Sequence, residues 1–166
     1  MTSISLSRRR VLLGTGALVV GGCAPDVASA DDSRYAASPF RKLTQAEWRE
    51  RLPRDAFEVL RQEATERPFS SPLNDEHRAG VFHCRGCDLA LFRAAWKFES
   101  RTGWPSFWQA DRNAIGTKTD HAIGIARTEY HCARCLGHQG HVFNDGPRPT
   151  GLRYCNNGVA LRFRPS

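Results

Sequence analysis

The chain has 166 residues and a formal net charge of +7 at neutral pH. This length suits one domain behind a short leader. The basic excess alone would fit a nucleic-acid-binding protein, but no basic run is long enough to indicate one, so we interpret the charge as a solvated surface. No internal repeat or low-complexity segment is visible.

The first thirty residues have the layout of an export signal. A cluster of three arginines, from Arg8 to Arg10, precedes an apolar run that ends at Val20. The run is shorter than the roughly 20 apolar residues that a membrane-spanning helix needs, and a basic cluster directly ahead of such a run is typical of a signal peptide. A short N-terminal core helix is the alternative. We therefore predict a twin-arginine signal over residues 1–30 and export through the cytoplasmic membrane to the periplasm.

Two processing sites compete within this leader. Cleavage near 30/31 would follow the small residues Ala28 and Ala30 and would release a soluble protein. Cleavage near 22/23 would leave Cys23 at the N-terminus in a lipoprotein-like box, and an acyl chain on Cys23 would tether the domain to a membrane. The sequence leaves both routes open. In either case we expect Cys23 to be removed or blocked in the mature protein.

Two short helices are predicted at the front of the domain. Thr44 and Glu47 match a capping box, which predicts a helix beginning near Gln45. A second helix is predicted after Pro53, because proline is favoured at the first helical positions and the apolar residues that follow recur on one helical face. These apolar residues are Phe57, Leu60 and Ala64.

The remainder of the chain has the pattern of strands. We predict a flexible tether over residues 31–43 and a folded domain over residues 44–166, which is mainly antiparallel β from Gly80 onward. The clearest alternation, typical of a half-buried strand, is near the C-terminus. There Val159, Leu161 and Phe163 alternate with Arg162 and Arg164. Extended structure is also predicted at Val81–His83, at Ile123-Gly124-Ile125 and before Cys132.

Four cysteines are spaced as two C-x-x-C pairs, Cys84 with Cys87 and Cys132 with Cys135. Each pair can form a knuckle that presents two sulfurs to one metal, so the four predict one tetrahedral Zn²⁺ site per chain. The pairs lie farther apart than the ~15–20 residues of a compact zinc ribbon. The metal would therefore join two distant hairpins, in a structural role because no coordination position is left open. A pair of redox-active dithiols, as in a thiol–disulfide exchanger, is the alternative.

Cys155 lies outside both pairs and outside the leader, so it is the candidate nucleophile. Arg153 lies two residues away, on the same side if the segment is extended, and a nearby cation favours the thiolate. His138 and His141 could donate a proton to an oxygen of the substrate. These residues predict a cysteine-dependent enzyme with histidine assistance. A zinc-stabilised binding module is the competing interpretation, although it leaves this group without a role.

Several segments, in order along nearly the whole mature chain, resemble methionine sulfoxide reductase type B. They are Thr65-Glu66-Arg67-Pro68-Phe69-Ser70, Lys97-Phe98, Gly103-Trp104-Pro105-Ser106-Phe107, both C-x-x-C pairs, Gly140-His141-Val142-Phe143, Asp145-Gly146-Pro147 and Arg153-Tyr154-Cys155. The resemblance implies a mainly β fold, in which two antiparallel sheets form a barrel-like core with short N-terminal helices and a structural zinc site. It also implies reduction of the R epimer of methionine sulfoxide in proteins or peptides, with attack by Cys155 and formation of a sulfenic acid.

The resemblance also implies roles for individual residues. Trp104 corresponds to a ring that receives the methyl group on the substrate's sulfur, and Phe143 belongs to the same substrate pocket. A polar cluster would surround the sulfoxide oxygen. Its members are His138, His141, Asp145, Arg153 and Asn157. We expect His141 to be the leading proton donor, Asp145 to orient His141, and Arg153 to stabilise the thiolate.

The chain departs from the family pattern in a few positions. Thr102 occupies the place of a second, resolving cysteine, and a hydroxyl cannot form a disulfide with Cys155. We therefore expect an external thiol donor, such as a thioredoxin-like protein, and a monomer that needs no nucleic acid. Gln139, Asn156 and Gly158 replace a usual leucine, an aliphatic residue and a serine. These changes bear on packing around the site and on rate more than on the chemistry.

Overall fold

The computed structural model of the chain describes residues 32–122 and 124–166. The predicted signal peptide, its two cleavage sites and Cys23 lie outside the described residues. Within the described part, no helix combines the length and the apolar character that crossing a membrane requires. The predicted tether is described from Asp32 onward, where it forms 3-10 turns at Asp32–Tyr35 and Pro39–Arg41. Its apolar residues Tyr35, Phe40 and Leu43 pack against the core, so this part lies on the domain.

Both predicted helices are present. Helix α1 spans Gln45–Arg51, and its capping box is confirmed: Thr44 N donates to Glu47 at 2.7 Å, and Glu47 N donates to Thr44 Oγ1 at 3.3 Å. Helix α2 spans Arg54–Gln62 and is capped by Glu63, which has a left-handed φ of 58°. Ala64 therefore lies beyond the helix, because the backbone leaves the helical path at the preceding residue. Phe57 and Leu60 are buried, as their spacing predicted.

In the described residues, nine strands form two antiparallel sheets, which confirms the predicted fold class. The strands are β1 (Gly80–Cys84), β2 (Ala90–Arg93), β3 (Lys97–Phe98), β4 (Ser106–Phe107), β5 (Ile115–Asp120), β6 (Arg127–Cys132), β7 (His138–Phe143), β8 (Arg153–Asn156) and β9 (Leu161–Pro165). The smaller sheet has the order β2-β1-β9, and the larger has the order β3-β4-β8-β7-β6-β5. The larger sheet is open between its edges β3 and β5 rather than a closed barrel.

The core is an aromatic layer between the two sheets. Phe82 and Phe92 of the small sheet meet Phe107 of the large one, with ring centroids 5.0 Å and 4.2 Å apart. Tyr130 on β6 and Tyr154 on β8, the two strands that flank β7 in the large sheet, make an edge contact at 5.5 Å. Large aromatic rings contribute much of the free energy of burial. This layer therefore holds one face of the large sheet rigidly and leaves the other face for chemistry.

Two local predictions need correction. The segment Ile123-Gly124-Ile125 was expected to be extended. Ile123 lies outside the described residues, but Ile125 is exposed in the connection between β5 and β6, beside Gly124 with a left-handed φ of 76°. Val159 was expected to begin the last strand, but it belongs to a 3-10 turn at Gly158–Ala160 that precedes β9. Its N–H donates to Glu66 at 2.6 Å. A contact with a distant loop therefore overrides the local alternation.

Candidate active site

The strand register places a row of functional side chains across the large sheet. Lys118, Glu129, His141, Cys155 and Ser106 are successive cross-strand partners on β5, β6, β7, β8 and β4. Successive side chains of a strand point to opposite faces of the sheet, so directly paired residues share a face. The thiol and the imidazole expected to act together are thus immediate neighbours across β7 and β8.

Cys155 opens into a cleft of about 110 Å³. Among the residues that line it are Trp104, Arg127, His141, Phe143 and Asn157. The Trp104 ring is held in place, because its Nε1–H donates to the Glu66 carbonyl at 3.0 Å. The cleft thus brings two apolar rings, Trp104 and Phe143, together with the basic side chains of His141 and Arg127 around Cys155.

A glycine makes the close pairing of β7 and β8 possible. A Cβ atom on Gly140 would lie 1.9 Å from the carbonyl oxygen of Cys155, far inside van der Waals contact. Gly103 plays a similar part beside Trp104, where a Cβ would lie 2.8 Å from the backbone N of Phe69 and φ is +91°. Both glycines allow backbone to approach the cleft more closely than any other residue could.

Opposing effects act on the pKa of Cys155. Burial raises the pKa of the Cys155 thiol, whereas the charge of Arg153 and hydrogen bonds from Thr102 and Arg153 act against that rise. Burial is the stronger effect, so Arg153 moderates the pKa without bringing it below its usual value. Arg153 is also engaged elsewhere: it donates two hydrogen bonds to Asp145, at 2.8 and 2.9 Å, and lies 4.3 Å from the Phe143 ring centroid.

His141 is held by a carboxylate that the sequence did not reveal. Its Nε2 lies 2.7 Å from Asp120 Oδ2, the oxygen to which Arg127 also donates, at 2.5 Å. Burial lowers the pKa of His141, and the bond to Asp120 opposes that effect. The nitrogen left for a substrate is therefore Nδ1.

His138 has a different setting. It is almost fully buried, and its Nδ1 lies 2.9 Å from Glu129 Oε1. Glu129 in turn pairs with Lys118 at 2.9 Å. The His138 ring packs edge-on against His141, with centroids 5.5 Å apart, and it does not line the cleft.

The four paired cysteines form one buried cluster. All four sulfur atoms lie within 4.8 Å of one another, with Cys84 and Cys135 at 3.6 Å and Cys87 and Cys132 at 3.4 Å. A tetrahedral ion with metal–sulfur bonds of about 2.3 Å would place its sulfur ligands about 3.8 Å apart. The residues therefore fit a four-coordinate metal ion.

The surrounding chain keeps the cluster in this geometry. Each knuckle closes with a hydrogen bond, from Asp88 N to Cys84 O and from Leu136 N to Cys132 O, both at 2.8 Å. Asp88 and Leu136 both have left-handed φ values, 64° and 60°. Three arginines donate to knuckle carbonyls, namely Arg41 to Ala133, Arg61 to Cys135 and Arg134 to Cys87. Gln139 donates to Cys84 Sγ at 3.4 Å.

Comparison with known proteins agrees with this arrangement. Residues 52–165 match the SelR domain. The chain belongs to the SelR-domain family. It is 49% identical over 123 residues to a protein of Bradyrhizobium diazoefficiens and 50% identical over 123 residues to one of Pseudomonas putida strain W619, both named peptide methionine sulfoxide reductase MsrB. These matches cover 74% of this chain and 88% and 92% of the two relatives. A protein of the same name from Thiobacillus denitrificans is 46% identical over 123 residues, 93% of its length.

In this SelR-domain chain one predicted role is wrong. Asp145 was expected to orient His141, but its carboxylate accepts both bonds from Arg153. Asp145 and Arg153 lie on the side of Cys155 where Thr102 and Ser100 form a second depression. The reason is register: Arg153 opposes Phe143, two pairs beyond His141 and Cys155, and the Asn-Asp-Gly turn follows β7 directly.

Asn157 lines the cleft, but both ends of its amide bind backbone. Its Oδ1 accepts from Glu66 N at 2.9 Å, and its Nδ2 donates to Gln139 O at 2.9 Å. Asn157 thus joins strand β7 to the loop around Glu66, and the Glu66 carbonyl is the group that holds Trp104. Because both ends of its amide are bound to backbone, Asn157 has a positioning role.

Three residues of the SelR-domain site were not predicted from the sequence: Asp120, Arg127 and Glu129. The sequence did contain a pattern that could have indicated them. Arg127 and Glu129 lie two residues apart in the extended stretch predicted before Cys132, and Lys118 and Asp120 also lie two residues apart. Charges with a period of two mark a single sheet face. Only the register could show that this face carries the histidines.

Proposed function

We propose that this chain is a peptide-methionine (R)-S-oxide reductase in which Cys155 attacks the sulfoxide sulfur. The observation that carries the proposal is the direct pairing of Cys155 with His141 inside a cleft walled by Trp104. An apolar ring suits the methyl group of the substrate, and a protonated imidazole suits the oxygen. The family relationship supports the same reaction.

The first step balances without a cofactor. The Cys155 thiolate bonds to the sulfoxide sulfur, and the sulfoxide oxygen takes a proton from His141. Transfer of that hydroxyl to the Cys155 sulfur breaks both the sulfur–oxygen bond of the substrate and the new sulfur–sulfur bond, so methionine leaves and Cys155 becomes a sulfenic acid. Cys155 is oxidised by two electrons and methionine sulfoxide is reduced by two.

An external thiol would then restore Cys155. The first thiol condenses with the sulfenic acid, which releases water and forms a mixed disulfide, and a second thiol displaces Cys155. Thr102 Oγ1 lies 4.0 Å from the Cys155 sulfur, where a resolving cysteine could have acted. The four other cysteines of the described chain belong to the cluster. A dithiol protein of the thioredoxin class fits this requirement. Mass spectrometry of protein quenched after one turnover should find no intramolecular disulfide at Cys155, and such a disulfide would overturn this cycle.

The cluster holds Zn²⁺ in this proposal. Four thiolates leave no open position, so the ion would be structural. Burial of all four cysteines also argues against a thiol–disulfide exchanger, because exchange needs an accessible thiolate. Metal analysis should find one zinc per chain.

Export is the remaining part of the proposal. The leader predicts passage through the cytoplasmic membrane in folded form, and a filled zinc cluster would resist disulfide formation in an oxidising compartment. The mature protein would be periplasmic, either soluble or anchored through an acylated Cys23. The intact mass of the mature protein distinguishes cleavage near 22/23 with a lipid from cleavage near 30/31.

The decisive experiment is turnover of both epimers of a methionine sulfoxide peptide with dithiothreitol. We expect reduction of the R epimer only, and a loss of at least ~10³-fold in Cys155→Ser, because no other accessible thiol is described. Metal content should be equal in the two proteins, which serves as the folding control. Reduction of the S epimer alone, or activity that survives in Cys155→Ser, would falsify the proposal.

A further inference from the structure

Two chains of charge run in parallel across strands β5, β6 and β7. In the first, Arg127 donates to Asp120, and Asp120 Oδ2 lies 2.7 Å from His141 Nε2. In the second, Lys118 pairs with Glu129, and Glu129 Oε1 lies 2.9 Å from His138 Nδ1. In each chain a cation contacts a carboxylate, and the carboxylate contacts an imidazole. The two carboxylates hold different ring nitrogens, Nε2 in His141 and Nδ1 in His138. Only the first chain ends at the cleft.

We propose that Asp120 is a positioning residue that fixes His141 with its Nε2–H on the carboxylate, so that Nδ1 is the atom that gives the proton to the sulfoxide oxygen. This inference rests on the proposed reductase function. Glu129 holds His138 by the other ring nitrogen, Nδ1. His138 is then a buried ring that packs against His141. The two histidines then differ in role because two carboxylates hold them by different nitrogens.

The Asp120 carboxylate is itself fully held. Its Oδ1 accepts from the backbone N–H of Ala122 at 2.7 Å, while Oδ2 faces both Arg127 and His141. The backbone bond from Ala122, followed by the bonds from His141 and Arg127, holds the pKa of Asp120 well below its ordinary value. An ionised carboxylate only accepts hydrogen bonds, so Nε2 must carry the hydrogen.

This arrangement permits proton donation without rearrangement. When His141 is doubly protonated, Nε2–H stays on Asp120, and Nδ1–H is the donor that remains for the cleft that His141 lines. After Nδ1 has given its proton to the substrate, the neutral ring keeps its bond to Asp120 and needs no rotation. A carboxylate partner that fixes the tautomer of a catalytic imidazole is a general device of acid–base sites.

The charges around His141 make Asp120 the group that favours its protonated form. Burial lowers the pKa of His141, and the nearby positive charges of Arg127 and His138 lower it further. Asp120 raises it through a hydrogen bond and through its charge. The titratable or charged groups that share this region are Lys118, Asp120, Arg127, Glu129, His138, Arg153 and Cys155. Removing the Asp120 charge should therefore lower the pKa of His141, whereas removing the Arg127 charge should raise it.

The test uses full-length protein labelled with ¹⁵N-histidine and long-range ¹H–¹⁵N spectra over pH, which report tautomer and pKa for each ring without substrate. In the wild type we expect His141 to be the Nε2–H tautomer. Asp120→Asn should move the His141 titration down by about one pH unit, and Arg127→Gln should move it up. Opposite shifts separate a charge effect from general damage to the fold. Glu58→Gln, which removes an exposed carboxylate on α2, is the control that should change neither. Glu129→Gln should alter the His138 signals and leave the His141 tautomer as it is.

Kinetics on the same proteins separates this inference from the reductase proposal. Asp120→Asn should lower kcat about tenfold for each unit lost from the His141 pKa, with KM little changed. If the wild type reduces the R epimer but His141 is the Nδ1–H tautomer, or titrates identically in Asp120→Asn, the role of Asp120 is refuted and the reductase stands. If the wild type reduces neither epimer, the reductase proposal fails, and the tautomer and titration still decide whether Asp120 positions His141.

Discussion

The described cysteines occupy two contrasting environments. Cys84, Cys87, Cys132 and Cys135 are buried with their sulfurs within 4.8 Å of one another and have knuckle backbone bonds around them. Cys155 is partly exposed, with Arg153, Thr102 and His141 as its polar neighbours. Thiols of the same intrinsic chemistry are therefore suited to hold a metal ion in one place and to act as the proposed nucleophile in the other. The difference lies in which charges surround each sulfur and in whether a substrate can reach it.

The two environments are joined by one hairpin. Strand β6 ends at Cys132, and β7 begins at His138, directly after the second knuckle. The cluster therefore fixes the end of the strand that carries His141. We expect damage at the cluster to reach the cleft, and damage at Cys155 to leave the cluster intact.

The largest effect should follow from removal of the metal. A structural zinc site contributes on the order of 10–16 kcal/mol of apparent binding free energy at neutral pH. We therefore expect Cys132→Ser, or a strong chelator, to abolish cooperative thermal unfolding and to release the metal. Cys155→Ser is the matched control, and it should keep both the metal and the melting temperature within a few degrees. A chelated protein that melted like the untreated one would contradict a structural metal.

A methyl group at Gly140 should have the next largest effect. The added Cβ would meet the Cys155 carbonyl at 1.9 Å, so β7 and β8 would have to separate. We expect Gly140→Ala to cost about 3 kcal/mol of unfolding free energy or more, measured by urea denaturation. Gly86→Ala in the metal knuckle is the comparison, because its Cβ would find only ordinary contacts from 3.4 Å outward. Equal losses in the two variants would mean that the close pairing of β7 and β8 is not a constraint.

Removal of the arginine beside Cys155 should change reactivity more than stability. Burial already raises the pKa of Cys155, and Arg153 opposes that rise. In Arg153→Met the pKa should rise further, so the thiolate would appear at higher pH. We expect alkylation by iodoacetamide at pH 7 to slow by about tenfold, a shift of one pKa unit. The cluster thiols should stay unmodified in the folded, metal-loaded protein. An unchanged alkylation curve would show that Arg153 does not act on the thiol.

The smallest effect, and of opposite sign, is expected at Asp145. Its negative charge raises the pKa of Cys155, and its side chain is well exposed, so solvent screens the interaction. Asp145→Asn should lower the pKa of Cys155 and speed alkylation at pH 7 by about two- to threefold. Slower alkylation would instead indicate that Asp145 acts mainly by holding Arg153 in place.

Local sequence was sufficient for features that depend on neighbours along the chain. The capping box of Thr44 and Glu47 formed as predicted, because its bonds join residues three apart. The two C-x-x-C pairs closed into knuckles for the same reason. The family resemblance extended this to the two sheets and to the cluster as one site. It did not extend to Ile125 or Val159, whose strand pattern is overridden by a turn and by a contact with a distant loop.

The sequence by itself determined the helix starts, the metal-ligand spacing and the isolation of Cys155 from both cysteine pairs. The tertiary structure decided which charges meet: Asp120 rather than Asp145 holds His141, and Asp145 holds Arg153 instead. These pairings depend on the register between strands that are distant in sequence, and a shift of one residue would turn each side chain to the other face of the sheet. Register is set by the packing of the whole aromatic core, so it cannot be derived from any one segment.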